Sequence, residues 1–249
     1  MGEHLTGPVL RRIKSLPWRA VIDVTAGLVM IAAATLVIRA YWPSTPTAKD
    51  SPTVASLPEG IAPVPDDWMH GRADAPLVLI VYSDFECPVC GTFARDLWPD
   101  LIRTYGADGQ VAFVFRHLAN EARHKHALKA AQAAECGGKQ GRFWQMHDRI
   151  FVDQQRLAES DLRQHAVGIG LDLKLFDTCF AGTMTDKVRR HTKEGLGFGV
   201  SGSPTFFIGK RSSNGKIRVI GRVNGIRPLP DFRRLLDEFI ARPLIGSRP

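Results

Sequence analysis

Cys87 and Cys90 stand in the stretch Phe85-Glu86-Cys87-Pro88-Val89-Cys90, close enough in the chain to share a disulfide or a metal ion. Three chemistries use this spacing: thiol–disulfide exchange, zinc binding and covalent haem attachment. Zinc would need a second pair of ligands, yet the remaining cysteines, Cys136 and Cys179, are single and 43 positions apart. Covalent haem would need His directly after the second cysteine, where this chain has Gly91. Exchange is the expectation, with an inert structural disulfide as the bland alternative. If a helix starts at the pair, its unpaired backbone N–H groups favour thiolate at Cys87, which makes Cys87 the nucleophile and Cys90 the resolving thiol. Pro88 suits the first helical position, where its missing N–H costs nothing.

The remaining chemically tempting residues carry weaker signals. Cys136 and Cys179 could join two helices as a structural disulfide in an oxidising compartment, or could be two buried free thiols. His124 and His126 are two positions apart and would face different sides of a helix, unlike helical metal ligands at i and i+4, so no metal site is expected. Lys and Arg number 33 against 25 Asp and Glu, a formal charge of +8. Beyond residue 70 these charges are interspersed, with no basic and aromatic module, so nucleic acid is not an expected partner.

The elements that must position the pair are legible around it. The apolar run Leu-Val-Leu-Ile-Val-Tyr-Ser-Asp-Phe (77–85) has the pattern of a strand buried on both faces, and the cysteines follow at once. Phe93, Leu97, Leu101 and Tyr105 then mark a helix that Pro99 should kink. A second strand at 110–118 completes a βαβ unit, whose right-handed crossover makes the two strands parallel. Residues 121–196 read as helical, with Ala127, Ala130, Ala131 and Ala134 on one face and Phe143, Met146, Ile150 and Phe151 on another. Segments 204–210 and 216–221 read as a hairpin turning near Asn214-Gly215. A last amphipathic helix buries Phe232, Leu235, Leu236, Phe239 and Ile240.

Upstream, the apolar run 20–38 contains one charge, Asp23, and is just long enough to cross a bilayer at about 1.5 Å per residue. Trp18, Tyr41 and Trp42 flank it as interfacial aromatics, giving a predicted transmembrane anchor at 20–42. Arg11, Arg12, Lys14 and Arg19 precede it, which assigns 1–19 to the cytoplasm and the rest of the chain to the outside. A cleaved signal peptide fits less well, because Arg39, Tyr41, Trp42 and Pro43 follow the run rather than small residues. The proline-rich stretch from Pro43 to Pro65 reads as a tether of at most roughly 70 Å, and the linker is placed at 43–70.

Phe-Glu-Cys-Pro-Val-Cys after an apolar strand, the segment 141–151 (GRFWQMHDRIF) and the segment 199–209 (GVSGSPTFFIG) together resemble the DsbA-like thioredoxin family over roughly 71–243, leaving 244–249 as a tail. The resemblance implies an α/β thioredoxin-like fold with an inserted helical subdomain at about 119–196. It implies a cis-proline at Ser203-Pro204 that faces the redox cysteines and binds substrate backbone. It also implies exported proteins as substrates, no cofactor, and a membrane redox partner. That partner would be a quinone-linked oxidase, or an electron donor if the protein is a reductase or isomerase. Two departures bear on direction. Val89 stands where strongly oxidising members have His, and Val81 stands where many thioredoxin-like proteins have a buried carboxylate. Asp84 or Glu86 could substitute, although a solvated or capping role is preferred for both. A membrane-tethered client-binding module with an incidental cysteine pair is the rival from outside the enzyme class.

Overall fold

A computed structural model describes residues 61–212 and 214–242. The predicted cytoplasmic segment 1–19, the anchor at 20–42, the linker up to residue 60 and the tail at 244–249 lie outside the described residues. Among the described residues no helix is long and apolar enough to cross a membrane.

The all-apolar character of 77–82 follows from its place in the sheet. Strand β2 (Leu77–Ser83) is buried along its whole length, between β3 (Val111–His117), which is parallel to it, and β4 (Thr205–Arg211), which is antiparallel. With β1 (Trp68–His70) and β5 (Ile217–Asn224) at the edges, the strand order is β1-β3-β2-β4-β5. Leu77, Leu79, Val81, Phe113, Phe115, Phe206 and Ile208 point into the larger core, while Val78, Ile80, Tyr82, Val114 and Phe207 point into a second, smaller one. Each such side chain contributes about 1.5–3 kcal/mol by leaving water. The β4–β5 hairpin turns where Gly215 takes φ +80°, a conformation costly for residues with a Cβ.

The helical run α1 (88–106) leaves the cysteines and alternates α turns, at Pro88–Thr92 and Trp98–Leu101, with π turns, at Phe93–Leu97 and Ile102–Gly106. Two causes are visible. Apolar residues every four positions would drift about 40° per step around an ideal helix, and widened turns keep Phe93, Leu97, Leu101 and Tyr105 all buried. Pro99 has no N–H to give, and the Trp98 N–H instead reaches the Phe93 carbonyl.

The insert comprises α2 (Ala127–Gly138), α3 (Phe143–Val152), α4 (Glu159–Gly168), α5 (Leu173–Phe180) and α6 (Thr185–Gly197); after β5, α7 (Leu229–Ala241) closes the chain. Cys136 of α2 and Cys179 of α5 are joined by a disulfide, their Cα atoms 5.7 Å apart.

The folded domain begins earlier than the predicted boundary at residue 71. Ile61 is buried, and Trp68–His70 forms the edge strand against β3. Asp67 meets the Arg116 guanidinium at 2.8 and 3.1 Å, with both side chains sealed from water. Arg116 also donates to the Ala62 carbonyl at 2.8 Å and the Tyr82 hydroxyl at 3.1 Å. A three-residue strand carries too little periodicity to be read from sequence, and its proline-rich approach resembles a tether.

Asp67→Ala removes the buried counter-charge of Arg116 and leaves only the part-exposed Glu194 carboxylate, 3.6 Å away, an expected loss of about 3 kcal/mol in urea unfolding. A loss under about 1 kcal/mol would return this segment to the linker. Replacing both Cys136 and Cys179 with Ala should cost about 2–4 kcal/mol in the same assay. Free thiols located at Cys136 and Cys179 by alkylation and peptide mass mapping of unreduced, denatured protein would show that this bond does not form.

Candidate active site

The end of β2 and the start of α1 bring the two cysteines together in different surroundings. Cys87 is the N-cap of α1, with extended backbone at φ −72° and ψ 122°, and Pro88 takes the first helical position. The Cys87 N–H donates to the Asp84 carbonyl at 3.2 Å, and its own carbonyl accepts from the Gly91 N–H at 3.1 Å. Both thiols are free; Cys87 is 8% exposed and Cys90 fully buried. The Cys87 sulfur lies 3.6 Å from the Ser203 carbonyl, and the Asp84 N–H points at the Cys90 sulfur from 3.4 Å.

This placement separates two thiols of the same kind. The Cys90 thiol donates to the Cys87 sulfur, and the Cys90 and Val89 backbone N–H groups and Ser203 add to it, outweighing burial; the Cys87 thiol is lowered to about 5. At Cys90 burial dominates, its bond to Cys87 adds to it, and the thiol is pushed well up. One sulfur is therefore a thiolate at neutral pH while its neighbour holds the proton.

Ser203-Pro204 is a cis peptide and faces Cys87 across the gap between α1 and the β4 end. Pro204 is buried, and its carbonyl accepts from the Gly225 N–H at 2.8 Å, which fixes it beside the β5 end.

Asp84 is buried, and its carboxylate accepts from the Glu86 N–H at 2.9 Å, the Asn120 N–H at 3.0 Å and His124 Nδ1 at 2.9 Å. Glu86, half-buried, accepts from the His126 N–H at 2.6 Å. Through these bonds Asp84 and Glu86 staple the 119–126 loop to the Cys87–Cys90 turn, and Asp84 is not solvated. The His124 ring is drawn to Asp84 and the His126 backbone N–H to Glu86, so the two residues meet different carboxylates. Among the described residues no group of three or more His, Cys, Asp or Glu could hold a metal ion. Cys136 and Cys179 sit in the insert, apart from this turn. Val89 is 42% exposed and Val81 buried, so neither position supplies a charge.

Sequence reasoning passed over Gln154, just beyond α3. Its side-chain amide donates to the Phe85 carbonyl at 2.8 Å and to the Cys87 carbonyl at 3.0 Å. A lone polar residue in a polar loop offered no signal.

The family model described as thioredoxin matches residues 64–220. This chain belongs to the thioredoxin family. Its fold is that of the DsbA-like thiol–disulfide oxidoreductases: Wolbachia pipientis α-DsbA1 superposes with a TM-score of 0.64 at 23% identity, covering 72% of this chain and 92% of that one. Oxidised BdbD from Bacillus subtilis superposes with a TM-score of 0.58 at 19% identity, covering 69% and 91%. A curated relative, Na(+)/H(+) antiporter NhaA 1 of Mycobacterium sp. (strain KMS), is 37% identical over 149 residues, 58% of this chain and 24% of the relative. The chain thus spans about a quarter of the length of the first curated relatives it matches.

The geometry sets a pH dependence. The Cys87 thiol ionises lower in the folded than in the unfolded chain, so its contribution to stability is fully present above the unfolded value and is lost as pH falls through about 5. Iodoacetamide labelling of the reduced protein should rise in one step with its midpoint near pH 5 and level off above it. A midpoint near the ordinary thiol value of about 8.5 would overturn this account of the turn.

Proposed function

We propose that this protein is a thiol–disulfide oxidoreductase that forms disulfides in exported proteins, held outside the cytoplasmic membrane by the 20–42 segment. The observation that carries the reading is Cys87 at the start of α1, its sulfur among backbone donors, with Cys90 sealed behind it. A client thiolate attacks the Cys87 sulfur of the Cys87–Cys90 disulfide; the sulfur–sulfur bond breaks, and Cys90 leaves and takes up a proton. A second client thiolate then attacks the client sulfur of the mixed disulfide and releases Cys87 as a thiolate. Two electrons pass from client to protein. Cys87 is a good leaving group because its anion is stabilised, and stabilising the reduced pair makes the disulfide a stronger oxidant. Regeneration requires a partner that accepts the two electrons, and a quinone-linked membrane oxidase has the required chemistry.

The compartment is supported by the basic residues preceding the apolar run and by the Cys136–Cys179 bond, which persists where thiols are not kept reduced. Ser203 and Pro204, opposite Cys87, are assigned to client backbone. One observation favours the reductase reading: Val89, exposed between the cysteines, offers the thiolate no positive charge.

The reduction potential decides between the two. A value near the about −120 mV of a strong oxidant is expected, and one near the about −270 mV of thioredoxin would replace the oxidase with a reductase fed by a membrane electron donor. Cys90→Ala should trap mixed disulfides with exported proteins through Cys87. No trapped species, together with no exchange by the intact protein, would leave only the client-binding module.

A further inference from the structure

Gln154 reaches from the end of α3 to the redox turn, and both ends of its amide are assigned by their neighbours. The nitrogen faces two carbonyls, those of Phe85 and Cys87. The oxygen faces Arg95 Nη1 at 3.2 Å, and the same nitrogen donates to the Phe151 carbonyl at 2.6 Å. A flipped amide would set oxygen against carbonyls and nitrogen against a guanidinium. The amide fits because residue 91 is glycine: a Cβ there would stand 1.9 Å from Gln154 Oε1 and 2.6 Å from Arg95 Nη1.

The bond to Cys87 matters because of the residue that follows. The Cys87–Pro88 peptide has no N–H, so only its carbonyl can be held by hydrogen bonds. That carbonyl takes the Gly91 N–H from within the helix and the Gln154 amide from the insert. The second bond, at the Phe85 carbonyl, fixes the Phe85–Glu86 peptide at the start of the turn as well. Together they set how the Cys87 side chain leaves the backbone, and hence how its sulfur meets the first N–H groups of α1.

We propose that Gln154 is a positioning residue for the redox turn, through which the helical insert aims the Val89 and Cys90 backbone N–H groups at the Cys87 sulfur, with Gly91 admitting it. This rests on the reading of Cys87 and Cys90 as the exchanging pair. Gln154 touches neither sulfur and is not a catalytic residue.

Two variants of the full chain test it independently. Gln154→Met keeps the length of the side chain and removes both donors without adding charge. Gly91→Ala leaves Gln154 in place but displaces its amide, and the atoms it meets are the flexible ends of side chains. Each should raise the midpoint of Cys87 thiolate ultraviolet absorbance by about one pH unit, a roughly tenfold weaker hold on the anion. The equilibrium constant with glutathione should shift up to about tenfold toward the protein disulfide. The double variant should move the midpoint no further than either single one, because both remove the same contact. A merely structural role would lower the melting temperature and leave the midpoint unchanged. If Gln154→Met does not fold, Gly91→Ala decides alone. Exchange by the wild type with folded variants that keep its midpoint would overturn the role of Gln154. A wild type without exchange would overturn the underlying reading instead.

Discussion

An anionic sulfur that is almost closed off from water is expelled to its neutral form unless donors replace the lost solvent. Most of the molecule around the Cys87–Cys90 turn answers that constraint. The start of a helix offers backbone N–H groups that have no partner within the helix, and β2 ends so that Cys87 becomes the residue facing them. Cys90, three positions on, lies on the inner side of the same turn with the sheet behind it, where burial acts against ionisation. The difference between the two thiols therefore comes from place rather than type. One is the last extended residue before the helix and the other belongs to its first turn.

Such a turn is useful only if it is held, and the holding is distributed over distant segments. Asp84 binds the turn to the loop after β3, Gln154 binds it to α3, and Ser203 meets it from the β4 end. The insert must itself be fixed to the sheet, and buried polar contacts do this. Glu135 of α2 accepts from Trp68 Nε1 at 2.8 Å, lies 2.8 Å from His117 Nε2 on β3 and 2.9 Å from Lys187 Nζ on α6. Burial would raise the Glu135 carboxyl, but His117 and Lys187 outweigh it and hold it below its ordinary value. In a poorly polarisable interior such contacts are costly to break one partner at a time, so they fix the insert's orientation as well as its presence.

What the sequence revealed and what it concealed divide along the range of the interactions. The buried strand at 77–83, the helix after the cysteines, the Asn214-Gly215 turn and Cys87 as an N-cap rest on neighbours in the chain, and periodicity or Gly and Pro expose them. The cis bond at Ser203-Pro204 was readable only by resemblance, because nothing local distinguishes it from an ordinary turn. β1 escaped because three residues have no period. Asp84 and Glu86 read from sequence as solvated or capping residues, but the burial of Asp84 depends on Asn120 and His124, some forty positions downstream. Arg116 with Asp67, Glu135 with His117, and Gln154 with Phe85 and Cys87 depend on long-range geometry in the same way. A charged or amide side chain in a polar segment looks solvated until the fold supplies its partner.

The same division bears on Val89. If a side chain at position 89 supplied the charge that stabilises the Cys87 thiolate, the residue between the cysteines would govern the sulfur directly. In this chain the donors are Cys90, the backbone at 89 and 90, and Ser203, none of which needs a particular side chain at 89. Val89 is thereby free to stand half in solvent beside the cysteine, and Val152, at the end of the α3 helix that packs against this turn, is exposed as well. The backbone geometry sets the sulfur, and the residue at 89 sets the exposed surface beside it. Because these are separate, an apolar residue between the cysteines is compatible with a strongly stabilised thiolate.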